Sequence, residues 1–159
     1  MSTALTLKIK PVSPDFQVPT YSTPGSAAFD IRSPIDFTCV SGTTVNLDLG
    51  FAAEVPEGHV AVICPRSGLG TNHGLGLRNT VGVIDSDYRG EWEATVSVDT
   101  LYAVYFEGDE YRARQVTVNK GDRILQCMII PVQQVDFVIT DTLSETERGS
   151  GGYGSTGIK

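Results

Sequence analysis

The sequence lacks a surplus of positive charge. Its 159 residues carry 12 Lys and Arg against 19 Asp and Glu, a formal net charge of −7. Such a field repels nucleic acid polymers and anionic membranes, so no stable partner of either kind is expected. A small anionic ligand is still admitted where a few arginines reverse the field locally. Cysteine is scarce too. Cys39, Cys64 and Cys127 lie far apart, with no CxxC or Cys/His spacing, which argues against a zinc cage and a disulfide framework. An odd count without a framework fits a reducing compartment. Cys64 in HVAVICP and Cys127 in RILQCMII sit in apolar runs and read as small core hydrophobes. No segment nears the roughly 20 apolar residues of a membrane span. The opening MSTALTLKIKPVSPDF has neither a signal peptide's apolar run nor an Arg-rich amphipathic start, so a cytoplasmic location is expected. A sustained 3.6-residue period is missing, and no repeat is evident.

The period that is present is two. Leu5, Leu7 and Ile9 alternate with polar residues, as do Val45, Leu47 and Leu49, and then Trp92, Ala94, Val96 and Val98. Val60 to Cys64, Val81 to Ile84 and Ile124 to Val132 are short, near-continuous apolar runs. Glycine at 17 and proline at 8 punctuate them, in PGS at 24–26, PEG at 56–58, EGD at 107–109 and NKGD at 119–122. Many short strands between regular turns predict an all-β domain, a sandwich, jelly roll or barrel, over residues 1–143. A short helical turn fits only after Ser67. The remaining tail, residues 144–159, is rich in glycine and hydroxyls. It reads either as a flexible terminus or as a lid in which Arg148 and backbone N–H groups wrap phosphates while Tyr153 covers a flat ring.

Three segments could carry chemistry. In PRSGLG, Arg66 offers bidentate charge, Ser67 a hydroxyl and Gly68 close backbone approach, which suits a phosphate but also an ordinary turn. His73 nearby lacks the partners of a general base. In NTVGVIDSDYRGEW, residues 79–92, apolar residues deliver Asp85 to a strand end, where a carboxylate can take a proton from water. The same carboxylate could simply stabilise a hairpin turn. In NKGDRILQ, Gln126 lies inside an apolar strand, and its amide needs a partner: a neighbouring strand, a phosphate or a water.

Taken together and in order, these segments resemble the trimeric dUTPase family along nearly the whole chain. The motifs are PGSAAFDI at 24–31, PRSGLG at 65–70, NTVGVIDSDYRG at 79–90, GDRILQ at 121–126 and RGSGGYGSTG at 148–157. The resemblance implies a homotrimer of jelly-roll subunits with active sites at subunit interfaces. It implies hydrolysis of dUTP to dUMP and pyrophosphate by water attack at the α-phosphate, with Mg²⁺ on the triphosphate. Such an activity limits uracil incorporation into DNA and supplies dUMP for thymidylate synthesis. By position, Asp85 would be the general base, with Gln126 near the α-phosphate and its water. Tyr88 would pack on the deoxyribose and exclude a 2′-hydroxyl. Main chain around Asn79, Val83, Ile84, Asp85 and Glu93 would read the uracil edge. Arg66, Ser67 and Gly68 would hold phosphates, Arg148 the terminal one, and Tyr153 would stack on uracil with Gly154 beside it. Asp30 would act on the metal's water shell or support the site.

Two departures stand out. The lid aromatic is Tyr153 where the family usually has Phe, and a tyrosine still stacks. Residues 98–118 make a longer link between the third and fourth motifs than usual, with two strand-like halves around EGD. This predicts an extended hairpin, either a tolerated surface insertion or a protein-binding arm. Two other functions stay open. A dCTP deaminase shares the fold but matches DSDYRG and the glycine-rich tail less well. A non-catalytic β trimer would have eroded Asp85, Arg66, Gln126 and Arg148, and all are present.

Overall fold

Alternation of apolar and polar residues turns directly into half-buried strands. The computed structural model describes residues 5–99, 104–107 and 110–152. In chain order the strands are β1 (Lys8–Pro11), β2 (Thr20–Tyr21), β3 (Phe29–Arg32), β4 (Phe37–Val40), β5 (Thr44–Glu54) and β6 (His59–Pro65). A short helix α1 (Ser67–His73) follows, at the place where a helical turn is expected. Then come β7 (Leu75–Leu77), β8 (Gly82–Ile84), β9 (Glu91–Val98), β10 (Val104–Glu107), β11 (Glu110–Ala113), β12 (Gln115–Val118) and β13 (Arg123–Pro131).

Two larger antiparallel sheets carry the domain, one in the order β1-β5-β9-β7 and the other β2-β3-β13-β6-β8. A smaller sheet pairs β12 with β4, and β10 with β11 forms the hairpin expected in the 98–118 insertion. Among the described residues the sheets do not close into one barrel; they share a core, as a jelly roll does. The strand β9 shows how the sequence builds that core. Trp92, Ala94, Val96 and Val98 are buried, and the residues between them face outward. Trp92 packs on Phe51 at 5.0 Å between ring centroids. Its Nε1 has no acceptor among the described residues. Cys39 and Cys127 are fully buried, and burial pushes the Cys127 thiol up to about 12, beside the Cys64 thiol across the strand pair.

Alternation breaks at two bulges. Along β5 the register with β9 shifts between Asp48 and Ala52, around Gly50 at φ +81°. The Gly50 N–H, turned out of the ladder there, donates to Glu91 Oε1 at 2.9 Å. Along β13 the register with β3 shifts between Arg123 and Leu125, which lets both Ile124 and Leu125 face the core. Among the described residues the strands end at Pro131. Residues 132–143, expected inside the barrel domain, continue without strand structure, and Phe137, Val138 and Ile139 are 93%, 83% and 100% exposed.

Candidate active site

The middle of the five-stranded sheet gathers one group of expected site residues. In β13, Gln126 stands between Asp30 of β3 and Cys64 of β6. Of its open alternatives, the amide takes the neighbouring strand: Gln126 Nε2 donates to the Pro65 carbonyl at 2.9 Å. Beyond Pro65 the chain leaves the strand through Arg66, the N-cap of α1, and Ser67 and Gly68 lie exposed in the first helical turn.

Asp30 is the buried centre of this group, 6% exposed. Arg66 Nε meets its Oδ1 at 2.8 Å, while Arg123 Nη1 at 3.3 Å and the Ser22 hydroxyl at 2.7 Å donate to its Oδ2. Burial alone would raise this carboxyl; the Ser22 hydroxyl and the Arg66 and Arg123 charges outweigh it and hold the pKa below the ordinary 3.8. Arg66 Nη1 also donates to the Arg123 main-chain carbonyl at 3.2 Å. The guanidinium is thus held at Nε and Nη1 in one orientation, as recognition of an anion requires. Ser22 and Arg123 escape sequence reasoning, because neither lies beside Asp30 in the chain. The pairing of β2, β3 and β13 is what joins them.

A second group surrounds a cleft of about 530 Å³ between the ends of the two large sheets. Asn79, Gly82, Ile84 and Glu93 line it, together with Arg78 and Thr95, which the sequence did not single out. Period two explains why Val83, 61% exposed, points its side chain away from the cleft that Gly82 and Ile84 line. The strand β8 is the last of its sheet, so alternate N–H and C=O groups on its outer edge have no sheet partner. That edge can read a polar ring with main chain. Leading into it, Thr80 adopts φ +70°, a left-handed conformation unfavourable for a β-branched residue. Another cleft of similar volume lies under α1 against Gly70, Gly74 and Gly76, away from Asp85 and Gln126.

Asp85 follows β8 directly and is exposed. Its carbonyl accepts the Tyr88 N–H at 3.3 Å, and Arg89 Nη1 donates to the carbonyls of Ser86 and Tyr88, so the turn after it is closed on itself. The Tyr88 hydroxyl donates to the Glu91 carbonyl at 3.0 Å.

The two groups do not meet within one chain. Ile84 is opposite Ala61 in β6, the antiparallel register carries Asp85 on toward Val60, and Arg66 is six residues further on from there, so Asp85 and Arg66 are separated by roughly 20 Å of strand. Arg148 is exposed in a turn of its own, where its Nε donates to the Gly151 carbonyl at 3.0 Å. Tyr153 and Gly154 lie outside the described residues. Three or more His, Cys, Asp or Glu that could cage a metal do not cluster among the described residues, and no helix there is long and apolar enough to cross a membrane.

The sequence pattern of the dUTPase family matches residues 14–157. The chain belongs to the dUTPase family. Among its curated relatives, the deoxyuridine 5′-triphosphate nucleotidohydrolase of Aeromonas salmonicida is 38% identical, over 99% of each chain. That of Bordetella avium is 42% identical over 88% of each. Its fold is also that of solved dUTPases. A Staphylococcus bacteriophage 80alpha dUTPase with dUPNHPP superposes with a TM-score of 0.82 at 23% identity, over 98% of this chain and 100% of that one. A dUTPase from phage phi11 of S. aureus, described with a structural Mg(II) ion, has a TM-score of 0.73 at 20% identity, over 87% and 98%. The insertion hairpin and the Asp30 cluster are thus features of a dUTPase-family chain.

Proposed function

We propose that this chain hydrolyses dUTP to dUMP and pyrophosphate at sites shared between the subunits of a homotrimer. The observation that carries the shared site is the distance between Asp85 and Arg66 along β6: one chain holds a base and a phosphate anchor too far apart to serve one α-phosphate. A neighbouring copy that offers its Asp85 turn to the Arg66, Gln126 and Asp30 cluster completes the set. The exposed apolar segment 132–143 favours association as well, because side chains such as Phe137 and Ile139 gain burial only against another chain.

In this reading the uracil enters the cleft beside Asn79, Ile84 and Glu93, and the outer edge of β8 supplies main-chain donors and acceptors. Such a site rejects cytosine by placing like against like. Tyr88 packs on the deoxyribose, where a 2′-hydroxyl has no room. Arg66, Ser67 and Gly68 hold phosphates, and the 144–159 lid brings Arg148 to the terminal phosphate, Tyr153 to the ring and Gly154 beside it. Asp85 takes a proton as water forms a bond to the α-phosphorus, and the bond to the bridging oxygen breaks to release pyrophosphate. Gln126 orients that water through its Oε1.

Mg²⁺ fits this donor set as an ion carried on the triphosphate oxygens, where it neutralises charge and keeps several waters. Asp30 meets that water shell at most indirectly, because both its oxygens are engaged; its main work is to hold Arg66. The enzyme acts in the cytoplasm, limiting uracil in DNA and supplying dUMP for thymidylate synthesis. The 98–118 hairpin is a surface insertion; loss of one partner from pull-downs when it is shortened would instead make it a binding arm.

The test is pyrophosphate release from dUTP, UTP, dTTP and dCTP, with turnover expected essentially for dUTP alone. Water labelled with heavy oxygen should mark dUMP and leave pyrophosphate unmarked. Ammonia released from dCTP would point to the deaminase instead. Asp85→Asn should lose most turnover and keep nucleotide binding; undiminished turnover would remove Asp85 as the base.

A further inference from the structure

A glycine earns its place for one of two reasons: a backbone conformation that other residues resist, or a lack of room for a Cβ. Gly90 does not belong to the first kind, since it is absent from the glycines with positive φ. The second reason applies strongly. A Cβ on Gly90 would lie 2.5 Å from Tyr88 Cζ and 3.0 Å from Cε2, and closer still to the hydroxyl. The tightest contacts at Gly50 and Gly82 are looser, 3.2 and 3.3 Å. The phenol of Tyr88 therefore lies back over the bare Cα of Gly90, with its hydroxyl tied to the Glu91 carbonyl at 3.0 Å. Tyr88 is 42% exposed, so the ring lies at the surface of the turn. The other main-chain ties of the turn, Tyr88 N to Asp85 O and Arg89 to Ser86 O, hold the backbone and leave χ1 of Tyr88 free.

We propose that Gly90 is a specificity-determining position: by having no side chain it seats the Tyr88 ring at the height where the ring excludes a ribonucleotide. This rests on the reading of Tyr88 as the wall beside the sugar. A methyl group on residue 90 cannot share the space the phenol occupies. It lifts the ring off the main chain, breaks the tie to Glu91, and leaves the wall loose. A wall acts on the sugar and not on the attacking water, so the effect falls on discrimination and on KM more than on kcat. Gly90 has no positive φ, so its backbone conformation is open to alanine.

The experiment is a double-mutant cycle on the full chain. Gly90→Ala should lower the ratio of kcat/KM for dUTP over UTP by about tenfold or more, the scale on which steric selection works. Its kcat for dUTP should stay within about twofold of the parent. In a Tyr88→Ala background the same glycine change should alter the ratio no further. An unchanged ratio in Gly90→Ala, or an equal loss with and without the tyrosine, overturns the proposal. Should Gly90→Ala not fold, Tyr88→Phe tests the contact from its other end: release from Glu91 should also lower the ratio, and an unchanged ratio counts against the seat. If the parent turns over neither dUTP nor UTP, the functional reading fails instead. A crystal structure of Gly90→Ala then still decides whether the ring moved.

Discussion

At Asp30 two carboxylate oxygens meet three donors, from Arg66, Arg123 and Ser22. The carboxyl is held below its ordinary pKa in the folded chain, so its ion pairs stabilise the fold above about pH 4 and are lost as pH falls through the lower folded value. Asp30→Asn leaves two guanidiniums unpaired near a buried amide, and it should cost roughly 2 kcal/mol at neutral pH. Urea unfolding from neutral to acid pH should show the variant's stability flatter than the parent's in the acid range. Parallel curves would mean that Asp30 does not carry the acid sensitivity. Turnover should fall as well, because Arg66 loses the group that aims it.

Elements are set by small departures from regularity. The bulge in β5 needs a left-handed residue at position 50, supplied by Gly50 and held by Glu91. Gly50→Ala forces a side chain into φ +81° and puts its Cβ 3.2 Å from the Ser13 Cβ. A loss of about 1–2 kcal/mol is expected, readable as a Tm several degrees lower. A Tm within a degree of the parent's would show that the bulge relaxes freely. At β8 the departure is shortness. The strand ends at Ile84, and this is what frees Asp85 to project beyond the sheet.

On the scale of the molecule, the proposed trimer accounts both for the exposed apolar side chains of residues 132–143 and for the distance between Asp85 and Arg66. Sedimentation should give three times the chain mass of 17.1 kDa. Charges at both Phe137 and Ile139, as Phe137→Glu with Ile139→Glu, should shift the assembly toward smaller species with the β core still folded. A parent that sediments as one chain at micromolar concentration would remove the trimer. Truncation before Arg148 should impair turnover and leave the assembly intact, which separates the arm from the lid.

Much of this was legible in the order of residues alone. Period two in β1, β5 and β9 is a local property, because successive side chains of a strand face opposite ways whatever surrounds them. The helical turn after Ser67, the hairpin at 98–118 and the segments that hold Asp85, Arg66 and Gln126 followed from neighbours in the chain. What sequence could not supply was proximity across strands. Ser22, Asp30, Arg66 and Arg123 come together only through the pairing of β2, β3, β13 and β6. The same register separates Asp85 from Arg66. Gly90 reads in sequence as a turn residue, and only the position of the Tyr88 ring makes it a seat. Sequence determined which strands form; the tertiary structure decided which side chains come together, because register and sheet order are fixed by packing across the whole core.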